Sequence, residues 1–332
     1  MAALGDYSAI SQAEARRIIV NWRDSHAYPL QVFYKHAKLH AKLCGGAVVA
    51  QRLKRIGSVM EELKLDYGAQ LARMEDLGGC RIVVETAADL NGVVESYETS
   101  GARHKLVKKY DYIETPQKTG YRGVHLVFSF RGRRNGGYNG LMIEIQIRTR
   151  LQHMWEAAAE VLGRALDARL KDGRGNIRAL RYMELAAYLL ALEDGTAAWD
   201  RASRDAAAEE MRSLGDANVL EILDAAGMTL SSAAGDRGEA YYLLRADART
   251  STVEYAAFPK SRVGDALRRY SEDEAHGGAD VVLALSTDVR ELRAAYPGYF
   301  ADVGEFVRKI RGYVSSDPSA VNGGREQGGP HV

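Results

Sequence analysis

The chain has 332 residues, more than one small core usually organises, so the length predicts two domains rather than one. With 46% hydrophobic and 27% charged residues it has the composition of a globular protein, which argues against a chain that is disordered throughout. Forty-five Lys and Arg residues against 44 Asp and Glu residues give a net charge of +1. Any site for a polyanion must therefore be a local patch.

The two cysteines, Cys44 and Cys80, exclude a disulfide framework, and a zinc site would need its other ligands from elsewhere, so we expect no zinc. The N-terminal residues lack a basic leader followed by an apolar core. No segment approaches the roughly 18 apolar residues of a membrane span. We expect a cytoplasmic protein with no membrane partner; its oligomeric state is not indicated.

Apolar residues at helical spacing predict one helix across residues 15–22 and a second from Pro29. After Gly45-Gly46 come a basic stretch, QRLKR, and a short helical run from Ser58. The residues from Cys80 to Glu85 are predicted to form a strand, and Thr86 with Asp89 a capping box for the next helix.

Residues 124–130 and 141–148 are predicted to form two strands of an antiparallel hairpin, because the segment between them is rich in turn residues. A helix is expected from Thr149, followed by two Ala-rich helices that end at about Leu214. The predicted fold class is α+β, with helices wrapped around a mixed sheet.

From Tyr241 the pattern changes to short strands, with helices predicted at residues 261–275 and 302–310. We therefore predict a first domain at residues 1–215 and a small C-terminal α+β domain at residues 216–313. The last segment, residues 314–332, is rich in Gly, Ser and Pro and is predicted to be a disordered tail.

The strand 141–148 carries two kinds of side chain on its two faces. Leu141, Ile143, Ile145 and Ile147 point to one side, and Met142, Glu144, Gln146 and Arg148 point to the other, because strand side chains alternate. The polar row is either a solvated face or a row of functional groups.

Three other segments favour the second interpretation. Tyr121 lies on a Gly-hinged loop suited to stacking on a nucleobase, with Arg122 and His125 nearby, although it is equally consistent with a half-buried loop aromatic. Arg52, Lys54 and Arg55 suit polyphosphate binding or a solvated edge. Asp76 precedes a Gly pair and a strand that begins near Arg81, from where it could hold Mg²⁺ together with Glu144.

The order of RLKRIGS, EDLGGCRIVV, DYIETPQKTGYRGVH and EIQIRT, followed by Trp155 and Glu160, resembles the synthetase domain of the RelA/SpoT family across roughly residues 20–165. The resemblance implies a nucleotidyltransferase-like α+β domain that transfers the β,γ-pyrophosphate of ATP to a ribose hydroxyl, with Mg²⁺. Asp76 and Glu144 would hold the metal. The implied catalytic residues are Asp76, Tyr121, His125 and Glu144, with Glu144 also the candidate general base and Tyr121 stacked on the acceptor base. The implied ATP-binding residues are Arg52, Lys54, Ser58, Arg81, Gln146 and Arg148.

Two departures bear on the acceptor. Gln117 stands where the family has a loop Lys that helps to hold GDP or GTP, and Thr119 stands where it has Asn. The opening residues Trp22, Arg23 and His26 resemble the toxic small alarmone synthetases, whose members are similar to toxins that pyrophosphorylate the 3′ CCA end of tRNA. The candidate contacts to an RNA acceptor, or otherwise ordinary solvated charges, are Lys105, Lys108, Lys109, Arg122, Arg131, Arg133 and Arg134.

Tyr296 and Tyr299 flank the turn Pro297-Gly298 and resemble the YxxY neutralising motif of fused toxin–antitoxin alarmone synthetases. In those proteins a C-terminal domain similar to a metal-free zinc finger covers the ATP pocket until a phage protein, such as a capsid protein, releases it. The alternative is that both tyrosines only pack the core of the small domain.

Three hypotheses follow. The first is an autoinhibited enzyme that transfers pyrophosphate from ATP to tRNA and acts in phage defence. The second is an alarmone synthetase that makes ppGpp or ppApp from guanine or adenine nucleotides. The third is a catalytically silent binding module, against which the retained Asp76, Tyr121 and Glu144 argue.

Overall fold

The computed structural model describes residues 11–65, 70–101, 103–133, 136–166, 168, 170, 173–198, 200–215, 218–226, 229–230, 239–247, 250, 252–277 and 279–315. Arg134 and residues 316–332 of the predicted tail lie outside them.

One mixed sheet of nine strands runs through the described residues. Its order is β3-β4-β5-β2-β1-β9-β7-β8-β6. The β2–β5 and β6–β8 pairs are parallel and the other neighbours are antiparallel. The strands are β1 (Val48–Leu53), β2 (Gly78–Val84), β3 (Lys105–Asp111), β4 (Val124–Ser129), β5 (Met142–Thr149), β6 (Thr229–Leu230), β7 (Ala240–Asp247), β8 (Thr252–Pro259) and β9 (Asp280–Ser286). The predicted α+β class and the antiparallel hairpin, now β4 and β5, are confirmed.

Helices cover both faces of this sheet. They are α1 (Gln12–Ser25), α2 (Ala27–Ala41), α3 (Ile56–Leu65), α4 (Ala87–Thr99), α5 (Arg150–Ala165), α6 (Ile177–Glu193), α7 (Arg201–Ser213), α8 (Val219–Ala225), α9 (Val263–His276), α10 (Val289–Ala295) and α11 (Gly304–Val314). Short 3-10 turns lie at Leu71–Arg73, Gly136–Tyr138 and Lys260–Arg262. No helix in the described part of the chain is both long enough and apolar enough to cross a bilayer.

Helix starts follow from local sequence. The Thr149 side chain accepts from the Gln152 backbone N–H at 3.3 Å while Gln152 bonds back to Thr149, a complete capping box at the start of α5. Thr86 likewise accepts from the Asp89 backbone N–H at 3.1 Å at the start of α4. Both caps satisfy N–H groups that a helix leaves without partners, so both helices begin where the sequence predicts.

The sheet separates two principal cores. On one face, the isoleucines of β5 pack with apolar residues of α2, α4 and α9. On the other face, α5 packs with α6, α7, α8 and α11 in a second core, which also contains Tyr121. The polar row of β5 faces this second side, so the alternation predicted for the strand places its functional groups beneath α5.

The C-terminal strands extend the same sheet. β9 joins β1 with Arg52 paired to Ala284, and β7 and β8 follow outward from β9. The C-terminal helix α11 packs against α5, α7 and α8. The predicted domain boundary between residues 215 and 216 stays a prediction. Strands from both sides of this boundary belong to one sheet.

Candidate functional site

Three neighbouring strands bring the predicted site residues to one row. Gln146 of β5 is paired with His125 of β4 on one side and with Arg81 of β2 on the other. Side chains at paired positions point to the same face of a sheet, so these three meet between the strands and α5. Glu144 and Arg148, two residues along β5 in either direction, are 8% and 1% exposed. Glu144 and Arg148 are buried and Met142 and Gln146 are half-buried, so the row is no solvated face.

A chain of hydrogen bonds joins this row. Arg148 donates to the Tyr121 hydroxyl through Nε at 3.0 Å and through Nη2 at 2.6 Å. The Tyr121 hydroxyl lies 2.6 Å from Nε2 of His125, and Nδ1 of His125 lies 2.8 Å from Oε1 of Glu144. An ionised Glu144 can only accept, so Nδ1 of His125 donates to it. The Tyr121 hydroxyl oxygen already accepts twice from Arg148, so this hydroxyl donates a hydrogen bond to Nε2 of His125.

This network holds Glu144 ionised. Burial alone would raise the pKa of Glu144, but hydrogen bonds from His125 and Gln146 (Nε2–Oε2, 2.7 Å) lower it to about 2. Burial lowers the pKa of Arg148 to about 10 and raises that of Tyr121. Glu144 is thus an oriented, charged carboxylate, as a metal ligand or a base must be.

Tyr121 is 6% exposed, and its ring packs edge-on against Trp155 with the Arg148 guanidinium 5.1 Å from the ring centre. In this conformation the ring has no open face on which a nucleobase could stack. The stacking role predicted for Tyr121 would require the ring to move.

The sequence interpretation missed Glu156. It lies on α5, is 4% exposed, and forms ion pairs with Arg81 (Nη2–Oε2, 3.1 Å) and with Arg148. Two buried guanidinium groups on one face of a sheet need a counter-ion, and Glu156 supplies it. The available signal was its spacing of four residues from Glu160, which places both carboxylates on one side of α5.

The cations at the end of β1, namely Arg52, Lys54 and Arg55, are here called the cationic segment. Lys54 Nζ binds both Asp76 oxygens, at 2.6 and 2.8 Å, and Glu62 at 2.5 Å. Arg55 pairs with Asp280. Burial disfavours the charge of Arg52, but electrostatic interactions with Glu160, Tyr299 and Tyr296 together raise the Arg52 pKa. All three cations therefore lie beside carboxylates. Ser58, in the first turn of α3 and three residues after Arg55, is half-buried.

The two predicted metal ligands lie at the same end of neighbouring strands. Asp76 precedes β2 by two residues, and Glu144 pairs with Gly79 of β2. Carboxylate oxygens suit Mg²⁺, so the donor types fit. Among the described residues there is no cluster of three or more His, Cys, Asp or Glu placed to hold a metal. The pair would thus be an open site whose remaining ligands come from outside the protein.

The segment around Tyr296 and Tyr299 contacts Arg81 of β2 and His153 and Arg164 of α5. Ala295 O accepts from Arg81 Nη1 at 3.3 Å, Ala294 O lies 3.0 Å from His153 Nε2, and Arg164 donates to Gly298 O. The Tyr296 hydroxyl donates to Gln51 O at 2.8 Å. Both tyrosines also belong to a core with residues of β7, β9 and α10. The two tyrosines thus pack in this core while the neighbouring backbone carbonyls contact Arg81, His153 and Arg164.

The predicted RNA-binding residues that the structure describes lie in three separate places. Lys105, Lys108 and Lys109 lie on the exposed edge strand β3, where Lys108 pairs with Glu75 and Lys109 with Glu98 (2.9 Å). Arg122 donates to Gly120 O at 3.2 Å on the loop that carries Tyr121. Arg131 and Arg133 are exposed beyond the end of β4.

Comparison with known proteins gives this site a family context. A family model described as "Region found in RelA / SpoT proteins" matches residues 51–162, which contain the cationic segment, Asp76, Arg81, Tyr121 and the β5 row. Residues 51–162, which this model matches, are here called the RelA/SpoT region. The match covers about a third of the chain, and it bears out the synthetase-domain resemblance predicted from the motifs.

Two curated relatives are similar to part of the chain. GTP pyrophosphokinase YjbM of Bacillus subtilis is 25% identical over 128 residues, which are 38% of this chain and 59% of the relative. GTP pyrophosphokinase YwaC of the same organism is 29% identical over 110 residues, 31% of this chain and 51% of the relative. The chain therefore spans between a half and three fifths of the relatives' lengths.

Among solved structures, the small alarmone synthetase 1 of Bacillus subtilis bound to its product pppGpp is 20% identical, with a TM-score of 0.47. The match covers 55% of this chain and 94% of that one.

Proposed function

We propose that the protein is an autoinhibited pyrophosphokinase that transfers the β,γ-pyrophosphate of ATP to the 3′ CCA end of tRNA. Three features support the pyrophosphokinase part: the RelA/SpoT region, two relatives named GTP pyrophosphokinase, and the hydrogen-bonded row of Glu144, His125 and Arg148. The observation that carries the autoinhibition is the contact of residues 294–299 with Arg81, His153 and Arg164.

The reaction needs positioning and charge neutralisation more than covalent help. The acceptor hydroxyl attacks the β-phosphorus of ATP, AMP leaves, and the hydroxyl proton passes to a base. Glu144 is that base in our proposal, since it is ionised and held by His125 and Gln146. Mg²⁺, held by Asp76 and Glu144, would supply counter-charge to the phosphates.

ATP would bind to the cationic segment and to Arg81. In the present conformation Arg81 donates to the Ala295 carbonyl. Arg52 interacts electrostatically with both Tyr296 and Tyr299, and Arg55 interacts with Tyr299. ATP and the 294–299 segment would therefore compete for the same guanidinium groups. The C-terminal segment, residues 216–313, would act as the inhibitory domain, and its likeness to a metal-free zinc finger remains part of this proposal.

The acceptor is proposed from sequence and charge. Gln117 replaces the loop Lys that the family uses on guanine nucleotides, and Lys105, Lys108 and Lys109 lie along the edge strand β3, where an RNA phosphate would compete with Glu75 for Lys108 and with Glu98 for Lys109. Such an edge suits the phosphates of an acceptor stem. A cytoplasmic fused toxin–antitoxin in phage defence, released by a capsid-like phage protein, is the biological setting that we propose.

The test uses γ-labelled ATP with bulk tRNA and GDP in competition, and the variant Tyr296→Ala/Tyr299→Ala as the released enzyme. Label should appear on tRNA, and periodate-treated tRNA should stay unlabelled because its terminal diol has been destroyed. Glu144→Gln in the same released background should give no label. Label on nucleotides alone would refute the tRNA proposal.

The second candidate is an alarmone synthetase that makes ppGpp from GDP or GTP, or ppApp from adenine nucleotides. It is favoured by the names of the two relatives, both GTP pyrophosphokinases. The competition assay separates the candidates directly, since GDP and tRNA are offered to one enzyme in one tube.

A further inference from the structure

The cationic segment and the start of α3 receive carboxylates from the far end of the chain. Glu274, in the last turn of α9, accepts from the backbone N–H of Ile56, the first residue of α3, at 2.7 Å. Its other oxygen accepts from Arg23 Nη1 at 2.5 Å. Asp280, the first residue of β9, pairs with Arg55 and lies 3.9 Å from Arg164.

Glu274 is placed where its own helix disfavours it. A carboxylate near a helix C-terminus opposes the helix dipole, whereas one at a helix N-terminus is stabilised by it. Glu274 lies at the C-terminal end of α9 and at the N-terminal end of α3, whose first turn contains no acidic residue. The favourable electrostatics of Glu274 therefore come from α3 and Arg23, not from α9.

Arg23 depends on the same contact. Its guanidinium is fully buried, and three of its partners come from α9: Glu274, the Ser271 hydroxyl at 3.1 Å, and the Tyr270 ring with its centre 4.5 Å away. Only Asp24, at 2.9 Å, is local. Withdrawal of α9 would remove a counter-charge from Arg23 and from the first turn of α3, and displacement of the start of β9 would remove the one beside Arg55. A polyanion bound there would replace it.

We propose that Glu274 and Asp280 act as intrachain competitors of the ATP polyphosphate, each neutralising a cation of the phosphate site until the C-terminal segment is displaced. The inference rests on the closed ATP site of the proposed function. Inhibition would then have two components. Residues 294–299 cover Arg81, and the two carboxylates neutralise Arg23, Arg55 and the start of α3. Arg23 thereby becomes a phosphate-site residue in the released form.

The probe is inorganic tripolyphosphate, which carries the phosphates without the nucleoside. It is titrated calorimetrically, at fixed ionic strength, into the full chain and into the variant Glu274→Gln/Asp280→Asn, which keeps shape and removes charge. The matched control is Glu254→Gln/Glu272→Gln, two exposed carboxylates of the same C-terminal segment. A second control, Ser271→Ala, loosens the Arg23 contact without a change in charge.

The competitor variant should bind tripolyphosphate about tenfold more tightly than the native chain, a typical coupling between two sites, and both controls should bind like the native chain. The gain should shrink at high salt because the effect is electrostatic. Equal affinity of the competitor variant and the charge control, or an equal gain in Ser271→Ala, would overturn the inference.

Two further measurements keep the test decisive. If the double variant does not fold, the titration is repeated with Asp280→Asn alone. The Asp280 side chain is 30% exposed, so this substitution is better tolerated. Mg-ATP transfer assays on the same variants test the proposed function separately. A tripolyphosphate gain without any transferred label would support the competitors and count against the pyrophosphokinase.

Discussion

Gly298 offers a steric test of the closed site. It lies in the turn between Tyr296 and Tyr299, and a Cβ at this position would overlap the Glu160 carboxylate and lie 3.3 Å from the Glu160 Cβ. Glu160 can rotate away, but its carboxylate then leaves Arg52, whose charge it supports. Overpacking of this kind costs about 1–2 kcal/mol, so Gly298→Ala should weaken closure and tighten ATP binding by about 5–30-fold.

The assay is calorimetric titration of Mg-ATP into native protein and Gly298→Ala, with thermal unfolding as a check that both are folded. The matched control is Gly312→Ala on α11, where nothing lies within 4 Å of the added Cβ; ATP affinity should not change. If Gly298→Ala binds ATP like the native chain while Tyr296→Ala/Tyr299→Ala binds it more tightly, the steric reasoning at Gly298 is refuted.

Three further predictions concern the buried row and its supports. The Glu144 pKa, about 2 against the ordinary 4.5, means that Glu144 stabilises the fold above pH 4.5 by about 3 kcal/mol and loses this as pH falls to 2. Urea unfolding at pH 5 and pH 3 should show a steeper loss in native protein than in Glu144→Gln. Glu156→Ala, which leaves two buried arginines without their shared counter-ion, should cost about 3–5 kcal/mol in urea unfolding at pH 7, and a cost below 1 kcal/mol would contradict this role. Gly120 and Gly140 share a φ of +90°, but only at Gly120 would a Cβ meet Ala187, at 2.6 Å. Both Ala variants should lose roughly 1–2 kcal/mol of unfolding free energy because a positive φ disfavours a residue with a Cβ. Gly120→Ala should lose about 1–3 kcal/mol more because of the overlap with Ala187. Equal shifts in the thermal unfolding midpoint would argue against this packing contact.

Much of the site could be predicted from the sequence because β5 alternates. The period of two alone places Glu144, Gln146 and Arg148 on one face, and the structure confirms this. Thr149 likewise marks the start of α5, since its cap needs only residues within one turn.

Other elements were missed for identifiable reasons. The sequence indicates only a basic stretch at β1, because Arg52 and the following Lys54 and Arg55 are typical of a solvated segment. In the structure β1 is a central strand between β2 and β9. β3 was not predicted because an edge strand rich in Lys lacks an apolar face. The short α8 and α10 were also not predicted; they derive stability from packing rather than from a long periodic pattern.

Local features of this protein follow from short stretches of sequence. The alternation of β5, the helix caps and the motifs of the RelA/SpoT region are all set by residues close in the chain. Two other features arise only in the folded chain. Glu156 neutralises Arg81 and Arg148. Glu274, more than two hundred residues from Arg23 and Ile56, accepts hydrogen bonds from both. The reason is physical. A buried charge selects its partner by distance in space and by the removal of water, and neither quantity is encoded in spacing along the chain.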